Sequence, residues 1–264
     1  MGRERPNERR RPRNPRTSEP ANPIVTREPE PVNLRTREPA NRQGSFGHRE
    51  ALIEVLHEVW GFSDFRPLQQ DAMEAVLARR DSVVVMPTGG GKSLCFQAPA
   101  LVATGATGAA TAAAGAAAGA VERGGERRGF ALVVSPLISL MKDQVDGLRV
   151  DGVEAAYLNS TLDAGERDAV MASLREDRCR LLYVSPERLV GEGSQNFRRF
   201  LHQCAPRFVA IDEAHCISQW GHDFRPEYRQ LGRLREEWPQ GSLHAFTATA
   251  TARVREDIEA AQGR

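Results

Sequence analysis

The stretch Val83-Val84-Val85-Met86-Pro87-Thr88-Gly89-Gly90-Gly91-Lys92-Ser93 constrains this chain more than any other. Three valines run into a glycine-rich turn ending in Gly-Lys-Ser, and Leu94, Cys95, Phe96 and Ala98 continue as an apolar helical stretch. A short apolar run bounded by turn signals reads as a strand buried on both faces. Strand, glycine loop and helix together make a phosphate cradle. The glycines let backbone N–H groups close around an anion, and the helix N-terminus adds its dipole. In such a cradle Lys92 reaches the outer phosphates of a nucleoside triphosphate, and the Ser93 hydroxyl ligates Mg²⁺. The loop departs from the usual pattern at Met86, where a glycine is common. The bland alternative is an ordinary strand–turn–helix; the buried strand and three consecutive glycines weigh against it.

The 264 residues, 40% of them hydrophobic, suffice for one sizeable domain or two small ones. Cys95, Cys179, Cys204 and Cys216 show no Cys-x-x-Cys spacing, so neither a disulfide framework nor a zinc site is expected and a reducing, cytoplasmic compartment is the default. No apolar run approaches the ~20 residues of a membrane span, and the charged N-terminus has no apolar core after it, so neither membrane nor secretion is expected.

The formal net charge of +1 hides an asymmetry: residues 1–45 hold 11 Arg against 6 Asp/Glu, and eight of the 16 prolines. Such a segment cannot bury enough surface to offset its ordering entropy, so a disordered basic tail is expected over 1–45. Its arginines (Arg9, Arg10, Arg11, Arg13, Arg16) could loosely hold nucleic-acid phosphates, but a solvated tail is the simpler reading.

The globular part, 46–264, opens with Leu52, Val55, Leu56, Val59 and Trp60 at helical spacing, and Gly61 is a plausible stop. A second helix is expected with Pro67 in its first turn and Met73, Val76 and Leu77 on one face. Residues 102–129 are low-complexity Ala/Gly followed by a charged, glycine-rich run, and a mobile insertion without chemistry is expected there. It joins a helix to the next strand, so it should point away from the strand ends where ligands sit. Apolar runs at Ala131–Ser135, Leu181–Val184, Phe208–Ile211 and His244–Thr247 alternate with helical patterns such as Met141, Val145 and Leu148. Alternation of this kind argues an α/β fold, a mostly parallel sheet with helices on both faces.

Phe208-Val209-Ala210-Ile211 leads straight into Asp212-Glu213-Ala214-His215. A strand ending in two carboxylates is the partner a phosphate loop needs. Asp212 would hold Mg²⁺ through water, and Glu213 would orient and deprotonate the attacking water.

These two motifs together resemble the superfamily 2 helicases, and further stretches resemble the RecQ family of DNA helicases. That resemblance implies a single RecA-like domain using ATP and Mg²⁺, with a catalytic set of Lys92, Asp212, Glu213 and His215 and a nucleotide loop of Thr88, Gly89, Gly90, Gly91, Lys92 and Ser93. Phe62-Ser63-Asp64-Phe65-Arg66-Pro67-Leu68-Gln69 resembles the family's adenine-recognition motif. By that resemblance Gln69 reads the adenine edge, Arg66 supports the nucleotide and Phe62, where the family often has Tyr, stacks on the base. An amide can pair bidentately with adenine, which suits the chemistry.

Ser135-Pro136-Leu137-Ile138-Ser139-Leu140-Met141-Lys142-Asp143-Gln144-Val145 and Ser185-Pro186-Glu187-Arg188-Leu189 resemble motifs Ia and Ib. The resemblance implies that Ser135, Pro136, Lys142, Ser185 and Arg188 face single-strand phosphates. Cys216 to Tyr228 resembles the aromatic-rich loop that couples DNA binding to hydrolysis in RecQ proteins, with Trp220, Phe224 and Arg225 offering stacking faces and charge. Thr247-Ala248-Thr249 resembles motif III.

The resemblance covers residues 50–262 apart from the insertion, one of the two RecA-like domains such helicases use. It implies the N-terminal ATPase half of a 3′→5′ DNA helicase acting on single-stranded and tailed duplex DNA in repair or recombination. It would sit with the nucleoid in a bacterium or in the nucleus of a eukaryote, and a second RecA-like domain is an expected partner. An RNA-remodelling ATPase of the same superfamily and a truncated, non-catalytic ATP- or DNA-binding module are the alternatives.

Overall fold

The valine, leucine and isoleucine runs pair because each is apolar on both sides and needs cover on both sides. In the computed structural model, which describes residues 33–36, 42–105, 127–191, 193–221 and 223–263, they form one sheet. In chain order its strands are β1 (Asn33–Thr36), β2 (Ser82–Val85), β3 (Phe130–Val134), β4 (Ala155–Leu158), β5 (Leu181–Val184), β6 (Pro206–Ile211) and β7 (Leu243–Thr247). They lie in the order β1-β2-β7-β6-β3-β5-β4. Every pair from β2 to β4 is parallel. The register sets Val85 beside Thr247, Ala245 beside Ile211 and Ile211 beside Val134. The C-terminal tips of β2, β7, β6 and β3 therefore lie along one edge of the sheet.

Side chains alternate between two apolar layers. Val84, Val133, Ala210 and Phe246 face α1 (Arg42–Trp60), α2 (Gln69–Leu77), α3 (Leu94–Thr104) and the helix Ile138–Val150. Leu52, Met73, Phe96 and Met141 fill that layer, with Phe96 edge-on to Phe246 at 5.2 Å. Val83, Val85, Leu132 and Ile211 face the other layer, closed by Leu174, Leu189, Leu201, Val254 and Ile258. Among the described residues no helix is long and apolar enough to cross a membrane.

Three expectations need correction. Asn33–Thr36 lie within the expected unstructured tail, yet they pair antiparallel with β2, Asn33 against Val85 and Thr36 against Ser82. The reason is the open edge of β2, whose backbone groups an added strand satisfies. α1 also starts at Arg42 rather than 46; residues 1–32 and 37–41 lie outside the described residues. Secondly, α2 begins at Gln69, because Leu68 adopts a left-handed backbone (φ 65°), so Pro67 stands ahead of the helix and not in its first turn. Thirdly, α3 continues to Thr104 and ends on Gly105 at φ 59°. On the far side, the Gly129 N–H donates to Asp177 (2.9 Å) and Arg127 donates to the Arg175 carbonyl (3.1 Å). The low-complexity segment thus narrows to 106–126, outside the described residues, and its flanks lie at the sheet edge opposite the phosphate loop.

Candidate active site

The loop between β2 and α3 bends where its glycines permit. Gly89 and Gly91 have φ of 79° and 84°, a region that costs a residue with a β-carbon roughly 1–2 kcal/mol. A β-carbon on Gly90 would sit 2.9 Å from the Pro87 carbonyl oxygen, and one on Gly91 would collide with the Gln69 amide. The loop therefore tolerates no side chain where its backbone turns inward. Thr88 is exposed on its crest, Ser93 is half-buried at the start of α3, and Lys92 Nζ folds back to the Met86 carbonyl at 3.4 Å.

The segment before α2 grips this loop. Arg66 donates to the Gly89 carbonyl at 2.6 Å. Gln69, 2% exposed, accepts from the Arg66 backbone N–H at 2.8 Å and donates to the Gly91 carbonyl at 3.3 Å. Both residues expected to read the nucleotide are thus brought to the phosphate loop, but the Gln69 amide is already engaged with it. Phe62 stands outside, 44% exposed.

At the tip of β6, Asp212 is 7% exposed. Burial, and then the neighbouring Glu213 carboxylate, push its carboxyl up to about 6, against a hydrogen bond from the Glu213 N–H (2.9 Å) and the positive charge of Lys92. Glu213 holds a left-handed backbone, φ 49° and ψ 45°, which turns the chain sharply after the strand. Strain of this kind gathers at functional sites. His215 Nδ1 lies 3.2 Å from Glu213 Oε2 and 3.0 Å from Thr247 Oγ1. The Thr247 hydroxyl spends its own proton on the Thr249 carbonyl (3.1 Å), which leaves Nδ1–H as the shared donor to Thr247 and Glu213. One imidazole thereby ties the tip of β6 to the tip of β7.

The raised Asp212 carboxyl makes stability depend on pH. The folded chain holds a proton there that the unfolded chain has released, so folding takes up protons between the ordinary carboxylate range and about pH 6. Stability is therefore lost as pH rises through that window, by on the order of 2–3 kcal/mol from this group. Asp212→Asn should make the nucleotide-free, metal-free chain more stable than the parent at pH 8 and equal to it near pH 4. Urea titrations at both pH values would show this, and an Asn variant less stable at pH 8 would contradict it.

The residues expected to face DNA divide in two. Ser135 and Ser185 are buried (1% and 7% exposed), as is Pro136, so neither hydroxyl is presented at the surface. Lys142 is exposed but paired with Asp146. The Arg188 guanidinium lies over the Phe197 ring at 5.3 Å, towards the helix Ser194–Gln203. Trp220, by contrast, is 73% exposed. Phe224 is half-buried. Arg225 bridges from Asp223 to the Pro136 carbonyl (3.2 Å), joining the aromatic loop to the tip of β3.

One contact is invisible in the sequence. Tyr228 is fully buried, and its hydroxyl donates to the Asp212 carbonyl at 3.0 Å, pinning the end of the aromatic loop to the carboxylate strand. No spacing announces it; only the return of the chain through Pro226–Arg229 brings it there.

The chain is 45% identical to the ATP-dependent DNA helicase RecQ of Pasteurella multocida over 210 residues, which make up 80% of this chain and 29% of that protein. It is 44% identical to RecQ of Bacillus subtilis over 77% of this chain and 30% of that one, and 41% identical to the ATP-dependent DNA helicase Q5 of Mus musculus over 82% and 20%. The chain thus spans about 30% of the length of its bacterial RecQ relatives in Pasteurella and Bacillus. Among solved structures, the DUF1998 helicase MrfA bound to DNA and AMPPNP superposes with a TM-score of 0.57 at 17% identity, covering 87% of this chain and 31% of that one. A hypothetical ATP-dependent RNA helicase from Sulfolobus tokodaii superposes at 0.51 and 18%, covering 80% and 54%. At such identities these likenesses show the fold. The sequence profile of the DEAD/DEAH box helicases matches residues 66–258, from the arginine that grips the phosphate loop to the helix beyond β7, and the chain belongs to that family.

Proposed function

We propose that this chain is the ATP-binding and hydrolysing half of a RecQ-type 3′→5′ DNA helicase. The observation that carries the reading is one edge of one sheet. The phosphate loop leaves β2, Asp212 and Glu213 leave β6 with the loop bearing the exposed Trp220 close behind them, and Thr247 ends β7. The similarity to RecQ proteins in Pasteurella and Bacillus supports DNA as the polymer.

The residues fit a Mg²⁺-nucleotide. A loop with no room for a β-carbon at Gly90 or Gly91 matches a phosphate chain, and a buried Asp212 whose charge is costly to hold gains from a cation. Ser93 and Asp212 would hold the ion. When bound, it neutralises phosphate oxygens. Lys92 would leave the Met86 carbonyl for the outer phosphates and compensate the charge that builds there. Glu213 would take the proton of the attacking water, its carboxylate aimed by His215 Nδ1–H. Arg66 and Gln69 fix the loop from behind. Turning the Gln69 amide to an adenine edge requires it to leave the Gly91 carbonyl.

Trp220 would supply a stacking face for a base, a contact worth ~1–3 kcal/mol. Trp220→Ala, in this chain supplied with a RecQ-type second RecA-like domain, should weaken or abolish stimulation of ATPase by single-stranded DNA and leave DNA-independent hydrolysis nearly unchanged. Equal loss of both activities would assign Trp220 to folding instead.

A further inference from the structure

Trp220 cannot be held by its own ring, which is 73% exposed. Its direction must come from its backbone. The Trp220 N–H donates to Ser218 Oγ at 3.1 Å, and that same hydroxyl donates its only proton to Asp257 Oδ2 at 2.6 Å. Ser218 is fully buried, so no solvent competes for the hydroxyl. A hydroxyl bonded to a carboxylate is the stronger kind of hydrogen bond and has a defined orientation. Its remaining lone pairs then point at the Trp220 amide. Gly221 closes the turn by donating to the Ser218 carbonyl at 3.0 Å, and a β-carbon there would collide with the His215 carbonyl oxygen.

Asp257 stands on the helix Ala252–Ala261, capped by Thr251 through the Val254 N–H. That helix follows β7 directly, and Thr247 at the end of β7 is the residue that shares His215 with Glu213. The loop is therefore anchored twice to the hydrolytic edge: Tyr228 holds its end to Asp212, and Asp257 holds its start to the helix after β7. The two anchors differ in kind. Tyr228 is fully buried, whereas the Asp257 side chain is 30% exposed, with Arg253 at 3.8 Å from its other oxygen. Trp220 lines a cavity of about 290 Å³ together with Ile217, Gln219, Arg229, Arg253 and Asp257, so there is open space beside the ring on the Asp257 side.

We propose that Asp257 is a positioning residue: through the Ser218 hydroxyl it fixes how Trp220 is presented and so how strongly single-stranded DNA engages the loop, while touching neither nucleotide nor DNA. The inference rests on Trp220 being the stacking residue, as proposed above. A merely structural Asp257 would stabilise the helix and the loop without acting through Trp220.

The test uses the 264-residue chain, with oligothymidylate as the probe. In Asp257→Ala, exchange of the Trp220 backbone amide, read by NMR, should speed up at least about ten-fold while strands β3 and β6 keep their protection. Oligothymidylate affinity at low salt should fall about three- to ten-fold. Asp257→Asn, whose amide oxygen can still accept from Ser218, should restore most of both. The deciding measurement is a double-mutant cycle. In a Trp220→Ala background, Asp257→Ala should cost no further affinity, because its effect runs through Trp220. Additive losses, or an unchanged Trp220 exchange rate, would overturn the inference. If Trp220→Ala itself left oligothymidylate binding untouched, the stacking reading would fail first, and the inference with it.

Discussion

Glu213→Gln, in this chain supplied with a second RecA-like domain, should slow ATP hydrolysis by about 10²–10⁴-fold, the span of general-base catalysis, and leave nucleotide affinity almost unchanged. The separation follows from the geometry. Asp212 and Lys92 remain in place, and glutamine can still accept from His215 Nδ1–H at the 3.2 Å position. What is lost is the ability to take a proton. Lys92→Ala should behave differently, because it removes the cation from the loop: both affinity and rate should fall, the rate by about 10²–10³-fold as for other preorganised charge contacts. Fluorescent-nucleotide titration beside steady-state hydrolysis separates the two variants. Turnover by Glu213→Gln at the parental rate would show that another group takes the proton.

The 264-residue chain assayed by itself should hydrolyse ATP barely above background, and supplying a RecQ-type second RecA-like domain should raise the rate by about 10³–10⁵-fold. That is the range over which an arginine supplied to a phosphoryl-transfer site acts. Lys92 and Glu213 both stand at one edge of the sheet, with Arg66 spent on the Gly89 carbonyl and Arg225 on Pro136 and Asp223. Neither arginine is placed to stabilise the transferred phosphoryl group. A titration of second domain into chain, followed by phosphate release, would show saturation. A rate that stays flat throughout would contradict the half-site reading.

Much of this was legible because buried parallel strands are continuous apolar runs. Val83–Val85 and Phe208–Ile211 announce themselves, and each runs straight into a candidate motif, Pro87 to Ser93 after the first and Asp212 to His215 after the second. The missed strands lack that signal. Asn33–Thr36 carries one large apolar residue beside prolines and charges, and only the open edge of β2 makes it a strand. Ala155–Leu158 is half alanine, a poor strand former, and β5 beside it supplies the reason to extend. The candidate residues could be named from the sequence, but not the contacts that wire them together. Lys92, Asp212 and Glu213 follow from motif chemistry. That Gln69 bonds the phosphate loop, that Ser135 turns inward and that Tyr228 reaches the Asp212 carbonyl depend on the chain folding back from far along the sequence. Local patterns do not encode such returns.

The most direct test of the central claim is unwinding. This chain, joined by a RecQ-type second domain and given Mg²⁺ and ATP, should separate a duplex bearing a 3′ single-stranded DNA tail. It should leave a 5′-tailed duplex and a 3′-tailed RNA duplex intact, and the 264-residue chain without the second domain should separate none of them. Robust unwinding by the chain alone, or a preference for the RNA duplex, would contradict the assignment of this domain as the ATPase half of a DNA helicase.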